Sequence, residues 1–286
     1  EHSLRVKENH ELFKAWLQKP GTDLETVCKG LAKLVVVDIA LNRDQDNPQL
    51  IFESMNSTGK ELSQADLIRN FILMGMETEL QTRLYEDSWR PMELEFGQEA
   101  YGTHFDGFMR HYLTVKTGEI PRIYEVYEAF KGYARSSKGK DVDEAAHIES
   151  LVSEIRNYAR YFCAMALGAE SDPQLQKAFK DLRELKVDVA YPFLLELYHD
   201  YTQEVLSQED FENAVRLVEA YVFRRAVCSI PTNSLNKTFG TLANLINEDE
   251  YLESVQVAFL LMDSYRRFPS DEEFTDAFKS RDIYSL

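Results

Sequence analysis

Apolar residues recur three and four positions apart over most of this chain, in long intervals broken by only 8 prolines and 12 glycines. This spacing is that of amphipathic helices, which place one apolar stripe against a core. No repeat of fixed period is present, which argues against a regular solenoid. The pattern predicts an all-α or nearly all-α protein built as an irregular multi-helix bundle.

Helix starts are marked by cap residues, with Asp23, Ser63, Ser207 and Ser270 each followed by an acidic residue two or three positions later. One segment, residues 31–41 (LAKLVVVDIAL), fits either a strand or a helix. The alternative of a short β-strand near residues 34–39, called the β-remnant below, therefore stays open. The predicted helices span residues 10–19, 23–30, 64–76, 77–96, 103–114, 121–133, 143–167, 172–185, 189–201, 207–228, 234–247, 250–268 and 271–281.

A polar stretch at residues 136–140 (SSKGK) is the clearest exposed linker. It predicts two helical subdomains: residues 1–135, which include the signature loop described below, and residues 141–286.

Composition narrows the function. The chain carries 49 acidic against 32 basic residues and a formal charge of −17, so a surface that grips nucleic acid all over is excluded, although a local basic patch is not. Cys28, Cys163 and Cys228 are far apart and form no CxxC pair, so neither a disulfide framework nor a zinc ribbon is indicated. With no signal peptide and no apolar run long enough for a bilayer, we expect a cytoplasmic protein that does not associate with membranes.

Residues 51–76 (IFESMNSTGKELSQADLIRNFILMGM) are the most informative segment. Gly59 suits a turn with positive φ, Ser63 suits an N-cap, and the helix that follows from Gln64 carries one apolar stripe. Taken locally, this is a loop and a core helix. A loop with a glycine and a lysine before a helix start also resembles a phosphate cradle, but the P-loop spacing is absent.

The same segment resembles the signature that closes the N-terminal domain of GmrSD-like restriction proteins. In that family a ParB/sulfiredoxin-like, nucleotide-hydrolysing domain with an Asp-Gly-Gln-Gln-Arg motif precedes a long helical region, and many members end in a His-Asn-His nuclease. Neither of these two motifs occurs in this chain, which we therefore expect to be an internal fragment. The residues that carry the resemblance are Phe52, Glu53, Asn56, Gly59, Leu62, Ser63, Asp66, Leu67, Ile68, Arg69 and Asn70.

The resemblance implies that the signature packs beside a nucleotide pocket, with Asn56, Gly59, Arg69 and Asn70 as the residues nearest the cofactor. It implies a nucleoside triphosphate and a divalent metal for the longer parent protein, and none for this fragment. No catalytic residue is predicted here.

The implied role is to couple an N-terminal NTPase domain to a C-terminal nuclease domain, with DNA bound through the full-length protein. The alternative is a helical protein-interaction scaffold without nucleotide or DNA chemistry. The oligomeric state stays open.

A second, weaker match to the family's helical region begins at Arg224 and runs to residue 239. Arg224, Arg225, Asn233 and Lys237 bracket a turn, and in an acidic chain they are candidate contacts for DNA phosphates or an acidic partner. Arginines that tie helix ends together through carboxylates are the alternative.

Histidines offer little chemistry. His104 and His111 are two helical turns apart, so we expect no metal site there. His199, near the end of a predicted helix, is interpreted as a positive charge facing the helix dipole.

Overall fold

The computed structural model describes residues 4–36, 38, 51–52, 62–74 and 76–280. Contacts within the chain group it into two units, Glu1–Asp46 and Asn47–Leu286, and each is described by itself. The described residues are helical or irregular and contain no β-strand, which confirms the predicted fold class.

Unit 1 contains α1, Leu4–Leu17, and α2, Leu24–Leu31. The predicted cap Asp23 is confirmed: its carboxylate accepts from the Glu25 and Thr26 amides and from the Thr26 hydroxyl at 2.6 Å. These hydrogen bonds, led by that of the Thr26 hydroxyl, lower the pKa of Asp23. No described side chain of α1 or α2 is buried, and Phe13 and Trp16 are exposed by 59% and 50%.

The ambiguous segment forms no strand where it is described. Residues 34–36 and 38 have no regular structure, and Val35 and Val36 are exposed by 86% and 89%. Residues 37 and 39–41 of the segment lie outside the described part of the chain, so the β-remnant is tested only in part.

Unit 2 is a bundle of helices that follow one another with short connections. A π-helical turn lies at Tyr85–Trp89, and short 3₁₀ turns precede or follow several helices. Its described α-helices are α3 Gln64–Leu73, α4 Thr78–Leu84, α5 Arg90–Phe96, α6 Gln98–Thr117, α7 Val126–Ser136, α8 Glu144–Ala166, α9 Pro173–Glu184, α10 Tyr191–Thr202, α11 Gln208–Val227, α12 Leu235–Leu242, α13 Tyr251–Leu260 and α14 Asp271–Ser280.

Several boundaries differ from the prediction. The helix predicted over residues 250–268 ends at Leu260, and the chain beyond it cannot continue an α-helix, because Asp263 is extended and Ser264 adopts φ +52°. The helix predicted from residue 121 begins at Val126, after a 3₁₀ turn at Ile123–Glu125. The caps at Ser63, Ser207 and Ser270 are confirmed by bonds to the amide three residues later.

Aromatic side chains dominate the core of unit 2. Trp89, Phe105, Phe108 and Tyr158 are fully buried, and their rings pack edge-on or tilted against neighbouring rings. The predicted linker, residues 136–140, is mostly exposed and joins α7 to α8. Helices on both sides of it bury side chains in one hydrophobic cluster, and the division into two subdomains stays a prediction.

In the part of the chain that the structure describes, none of the helices combines the length and the apolar character needed to cross a bilayer. Cys28 is exposed, whereas burial raises the pKa of the Cys163 thiol to about 12.

Candidate functional site

The signature helix α3 begins with a complete local cap. The Asp66 amide donates to the Ser63 hydroxyl at 3.1 Å, and that hydroxyl donates to the Asp66 carboxylate at 2.8 Å. Ser63 itself has extended backbone angles, as an N-cap requires. The helix therefore starts at Gln64, as the sequence predicts.

A carboxylate from a distant helix binds the same helix end. The Ala65 amide donates to Asp106 Oδ1 at 2.7 Å, and the Gln64 amide donates to Asp106 Oδ2 at 3.2 Å. Asp106 lies in the middle of α6 and is half-buried. The first amides of α3, which would otherwise attract a phosphate, are thus bound by the chain's own anion.

A third contact fixes α3 from the other side. The Gln64 side-chain oxygen accepts from the Tyr127 amide at 2.8 Å, at the start of α7. That amide is one of the first-turn donors that a helix leaves unpaired. The helix ends of α3 and α7 are therefore satisfied by groups on neighbouring elements.

The apolar stripe of α3 faces the core. Ile68 and Ile72 have no exposed surface, and Phe71 packs edge-on against Tyr127 at 6.3 Å and Phe130 at 5.8 Å between ring centroids. Polar bonds at its N-terminus and apolar packing along its length hold α3 to α6 and α7.

Arg69 bridges α3 and α5. Its guanidinium donates to Asp66 at 2.8 Å and to Glu93 at 3.1 Å, and all three side chains are a quarter to a third exposed. Beside it, the Trp89 indole donates to the Tyr101 hydroxyl at 3.0 Å. Burial and then the Glu93 carboxylate raise the pKa of Tyr101 above its usual range, so the hydroxyl keeps its proton.

The four predicted cofactor residues are therefore placed unequally. Asn56 and Gly59 lie outside the described residues. Asn70 is half-buried in α3, and its carbonyl accepts the closing bond from the Met74 amide at 2.8 Å. Arg69 has both ends of its guanidinium bound to carboxylates.

The second predicted cluster is split by burial. Arg225 is 1% exposed and donates to the Tyr265 and Pro231 carbonyls at 2.8 and 2.7 Å. Arg224 pairs with Asp271 and donates to the Pro269 carbonyl. Arg224 thus ties α11 to the start of α14 through a carboxylate, as in the alternative that the sequence left open, whereas Arg225 ties α11 to backbone carbonyls of two turns.

Asn233 and Lys237 are exposed on the other side of the turn. A contact with DNA or an acidic partner stays a prediction for these two residues. Arg225 offers no donor at the surface in this conformation.

A polar network not anticipated from the sequence joins α6, α8 and α7. The Lys116 ammonium lies 2.6 Å from Glu154 and donates to the Tyr158 hydroxyl at 3.1 Å, and the Tyr112 hydroxyl donates to Glu154 at 2.7 Å. Burial alone raises the pKa of Glu154, but the bonds from Lys116 and Tyr112 outweigh it and lower the pKa overall. Tyr133 on α7 adds a longer bond.

Next to this network, α10 carries two side chains with incomplete partners. Among the residues that the structure describes, the buried atoms Glu196 Oε2 and His199 Nδ1 have no hydrogen-bond partner. Burial, and then the Asp200 carboxylate, raise the pKa of Glu196. Burial and then Lys116 lower the pKa of His199, whose ring stacks on Tyr158, and this direction contradicts the positive charge predicted for His199.

His104 and His111 do not come together. His104 is exposed, whereas burial lowers the pKa of His111 to about 3, between Phe162 and Tyr191. Among the described residues, no group of three or more His, Cys, Asp or Glu side chains is placed to hold a metal ion.

Three residues that position α3 escaped the sequence-based prediction: Gln64 as an acceptor, Glu93 and Asp106. Asp106 is 41 residues from the amide it binds, and Glu93 is 24 residues from Arg69. No local spacing predicts a contact over such a separation, so only the tertiary structure identifies them.

A match to a known protein family covers the N-terminal quarter of the chain. Residues 1–73 match the family described as GmrSD restriction endonuclease, N-terminal domain, and the resemblance drawn from the signature is thereby confirmed. The match ends at the last residue of α3. No curated protein and no solved structure matches the chain.

Replacement of the local cap tests the start of α3. We expect Ser63→Ala to lower the free energy of unfolding by about 1 kcal/mol, because the Asp66 amide loses its acceptor.

Asp106→Ala should lower the free energy of unfolding by about 2 kcal/mol, since the Gln64 and Ala65 amides both lose their acceptor and are less exposed than the Asp66 amide. Urea denaturation measures both. Equal stability of Asp106→Ala and wild type would contradict the docking role of this carboxylate.

The unpaired carboxylate of Glu196 gives a second prediction. A raised folded-state pKa means that the charged form disfavours the fold, so stability falls as pH rises through that pKa. Glu196→Gln should therefore raise the free energy of unfolding at pH 8, on the order of 1 kcal/mol, and change it little at pH 4.

Glu253→Gln is the matched control: it removes one carboxylate charge, as Glu196→Gln does, but from an exposed side chain. Thermal denaturation across pH 4 to 8 distinguishes the two variants. A Glu196→Gln variant that is less stable than wild type at pH 8 would show that the carboxylate has a partner in solution.

Proposed function

We propose that, in a chain carrying the GmrSD-type N-terminal domain over residues 1–73, the helical unit couples that domain to the remainder of a restriction-endonuclease-type defence protein. The longer protein would hydrolyse a nucleoside triphosphate with a divalent metal on the N-terminal side and cut DNA on the C-terminal side. This chain's helices would transmit movement between the two.

The observation that carries the proposal is the position of α3. This helix is the last element of the family match, and it is also fastened to α6 by Asp106, to α7 by Gln64 and to α5 by Arg69. One rigid element therefore belongs to the matched segment and to the helical bundle. A displacement of the signature cannot leave the bundle unaffected.

A continuous path leads away from α3. Asp106 and Lys116 lie on the same helix, ten residues and about 15 Å apart along its axis. Lys116 is bound to Glu154 and Tyr158 on α8. Since packed helices move as rigid bodies, α6 carries a movement at α3 to the Lys116 network.

The described residues do not fit a phosphate site at the start of α3. The Gln64 and Ala65 amides are bound to Asp106, and the Arg69 guanidinium is bound to two carboxylates. A nucleotide contact of the signature is proposed only for Asn56, Gly59 and Asn70, with no step assigned to it. The proposed part of Arg69 is to hold α3 against α5.

Weakening the docking of α3 tests the coupling. In the full-length protein, Asp106→Asn keeps the shape of the side chain but removes the charge that binds the two amides. We expect nucleotide hydrolysis, measured as phosphate released from each of the four common triphosphates, to stay within twofold of wild type. Cleavage of phage DNA should fall about tenfold, which corresponds to roughly 1.4 kcal/mol of lost coupling.

Asp141→Asn is the control, because Asp141 is exposed and the substitution removes one negative charge, as Asp106→Asn does. Thermal denaturation shows whether both variants fold. Unchanged DNA cleavage in a folded Asp106→Asn protein would reject the coupling role. A full-length protein without nucleotide hydrolysis or DNA cleavage would instead support the interaction scaffold.

A further inference from the structure

A cavity of about 440 Å³ lies at α12, α13 and the turn that follows α13. Its walls are largely apolar and include Leu242, Val257 and Met262, while Thr241, Asp263 and Arg266 add polar groups. Cavities of several hundred Å³ with few polar groups are typical of small-molecule sites.

Arg266 is unusual among the arginines of this region. Arg224 pairs with Asp271, Arg267 pairs with Glu273, and Arg225 donates to two carbonyls. The half-buried Arg266 side chain forms no ion pair or hydrogen bond with the described residues, and its guanidinium carbon lies 5.7 Å from the Tyr265 ring centroid. An unpaired cation beside an apolar cavity is unexpected in a chain with a formal charge of −17.

Buried side chains of α11 hold the backbone that carries Arg266 in place. The buried Arg225 donates to the Tyr265 carbonyl, and the fully buried Tyr221 hydroxyl donates to the Arg266 carbonyl, both at 2.8 Å. Ser264, at the start of this 3₁₀ turn, has φ +52°, a conformation that costs free energy and persists only where surrounding bonds impose it. The turn thus presents Arg266 from a fixed position, as binding sites require.

From the cavity, the unpaired cation and the fixed turn, we propose that this cavity binds a small organic monoanion. The ligand has an apolar body that fills the space between Val257 and Leu242 and a carboxylate that pairs with Arg266. Asp263 also lines the cavity, and its negative charge disfavours ligands with a second negative charge. The site is separate from α3 and does not depend on the coupling proposed above.

Decanoate is a suitable probe, used with the whole chain and below the concentration at which it forms micelles. We expect one saturable site by isothermal titration calorimetry, and weaker binding of decanol, which has the same body without the charge. Arg266→Met should weaken decanoate binding at least tenfold and leave decanol unaffected, because it removes a charge-assisted hydrogen bond. Arg266→Lys should restore part of the affinity.

Arg135→Met is the matched control, since Arg135 is exposed on α7 and away from the cavity lining. Val257→Trp fills the cavity without changing the charge and should abolish binding of both probes. This second variant also separates the cavity from the exposed aromatic residues of α1, which attract apolar probes without saturation.

Each of three results would overturn the proposal: no saturable binding of decanoate, equal affinity of wild type and a folded Arg266→Met protein, or unchanged binding in Val257→Trp. Equal loss in Arg135→Met and Arg266→Met would reduce the effect to net charge and would also reject the site. Circular dichroism establishes that each variant is folded.

Discussion

The attachment of α3 to α6 through Asp106 is the contact on which the rest of the arrangement depends. A helix N-terminus leaves its first amides unpaired, and burying that end against other helices without an acceptor costs several kcal/mol in total. Asp106 supplies both acceptor oxygens from the middle of a long helix. It thereby permits the apolar stripe with Ile68 and Ile72 to pack into the bundle with the helix end satisfied.

Charged side chains in this chain serve mainly to join elements. Arg69, Arg225 and Lys116 each bind a group on another helix or turn. Their partners are far away in sequence and come within bonding distance only through tertiary packing. Because the chain is strongly acidic, most cations have a carboxylate or carbonyl nearby. Arg266, a cation without such a partner, and Glu196, a carboxylate with a buried oxygen that has no hydrogen-bond partner among the described residues, are therefore the two informative exceptions.

The sequence predicts most of the helices because their caps and apolar spacing are local. Ser63, Asp23 and Ser207 mark starts that the structure confirms. It fails where the outcome depends on distant groups: Tyr221 and Arg225 bind the carbonyls of the turn that replaces the end of a predicted helix, and burial lowers the pKa of His199, for which a positive charge was predicted.

The candidate site follows the same division. The resemblance in residues 52–70 locates the signature and is confirmed by the match over residues 1–73. Asp106 and Glu93, which hold the signature in place, lie far along the chain and belong to no motif. Arg225 was proposed as a contact because its sequence neighbours suggested one, and only its burial reveals that it supports a turn.

The Asp106 contact also fixes the sign of any linkage at this helix end. An anion that takes the Gln64 and Ala65 amides must first displace the carboxylate, so the two events compete for the same donors. Linkage is reciprocal: the factor by which the docked state weakens the binding of such an anion equals the factor by which the bound anion weakens the docking of α3. Negative cooperativity between anion binding and helix docking is thus built into two hydrogen bonds.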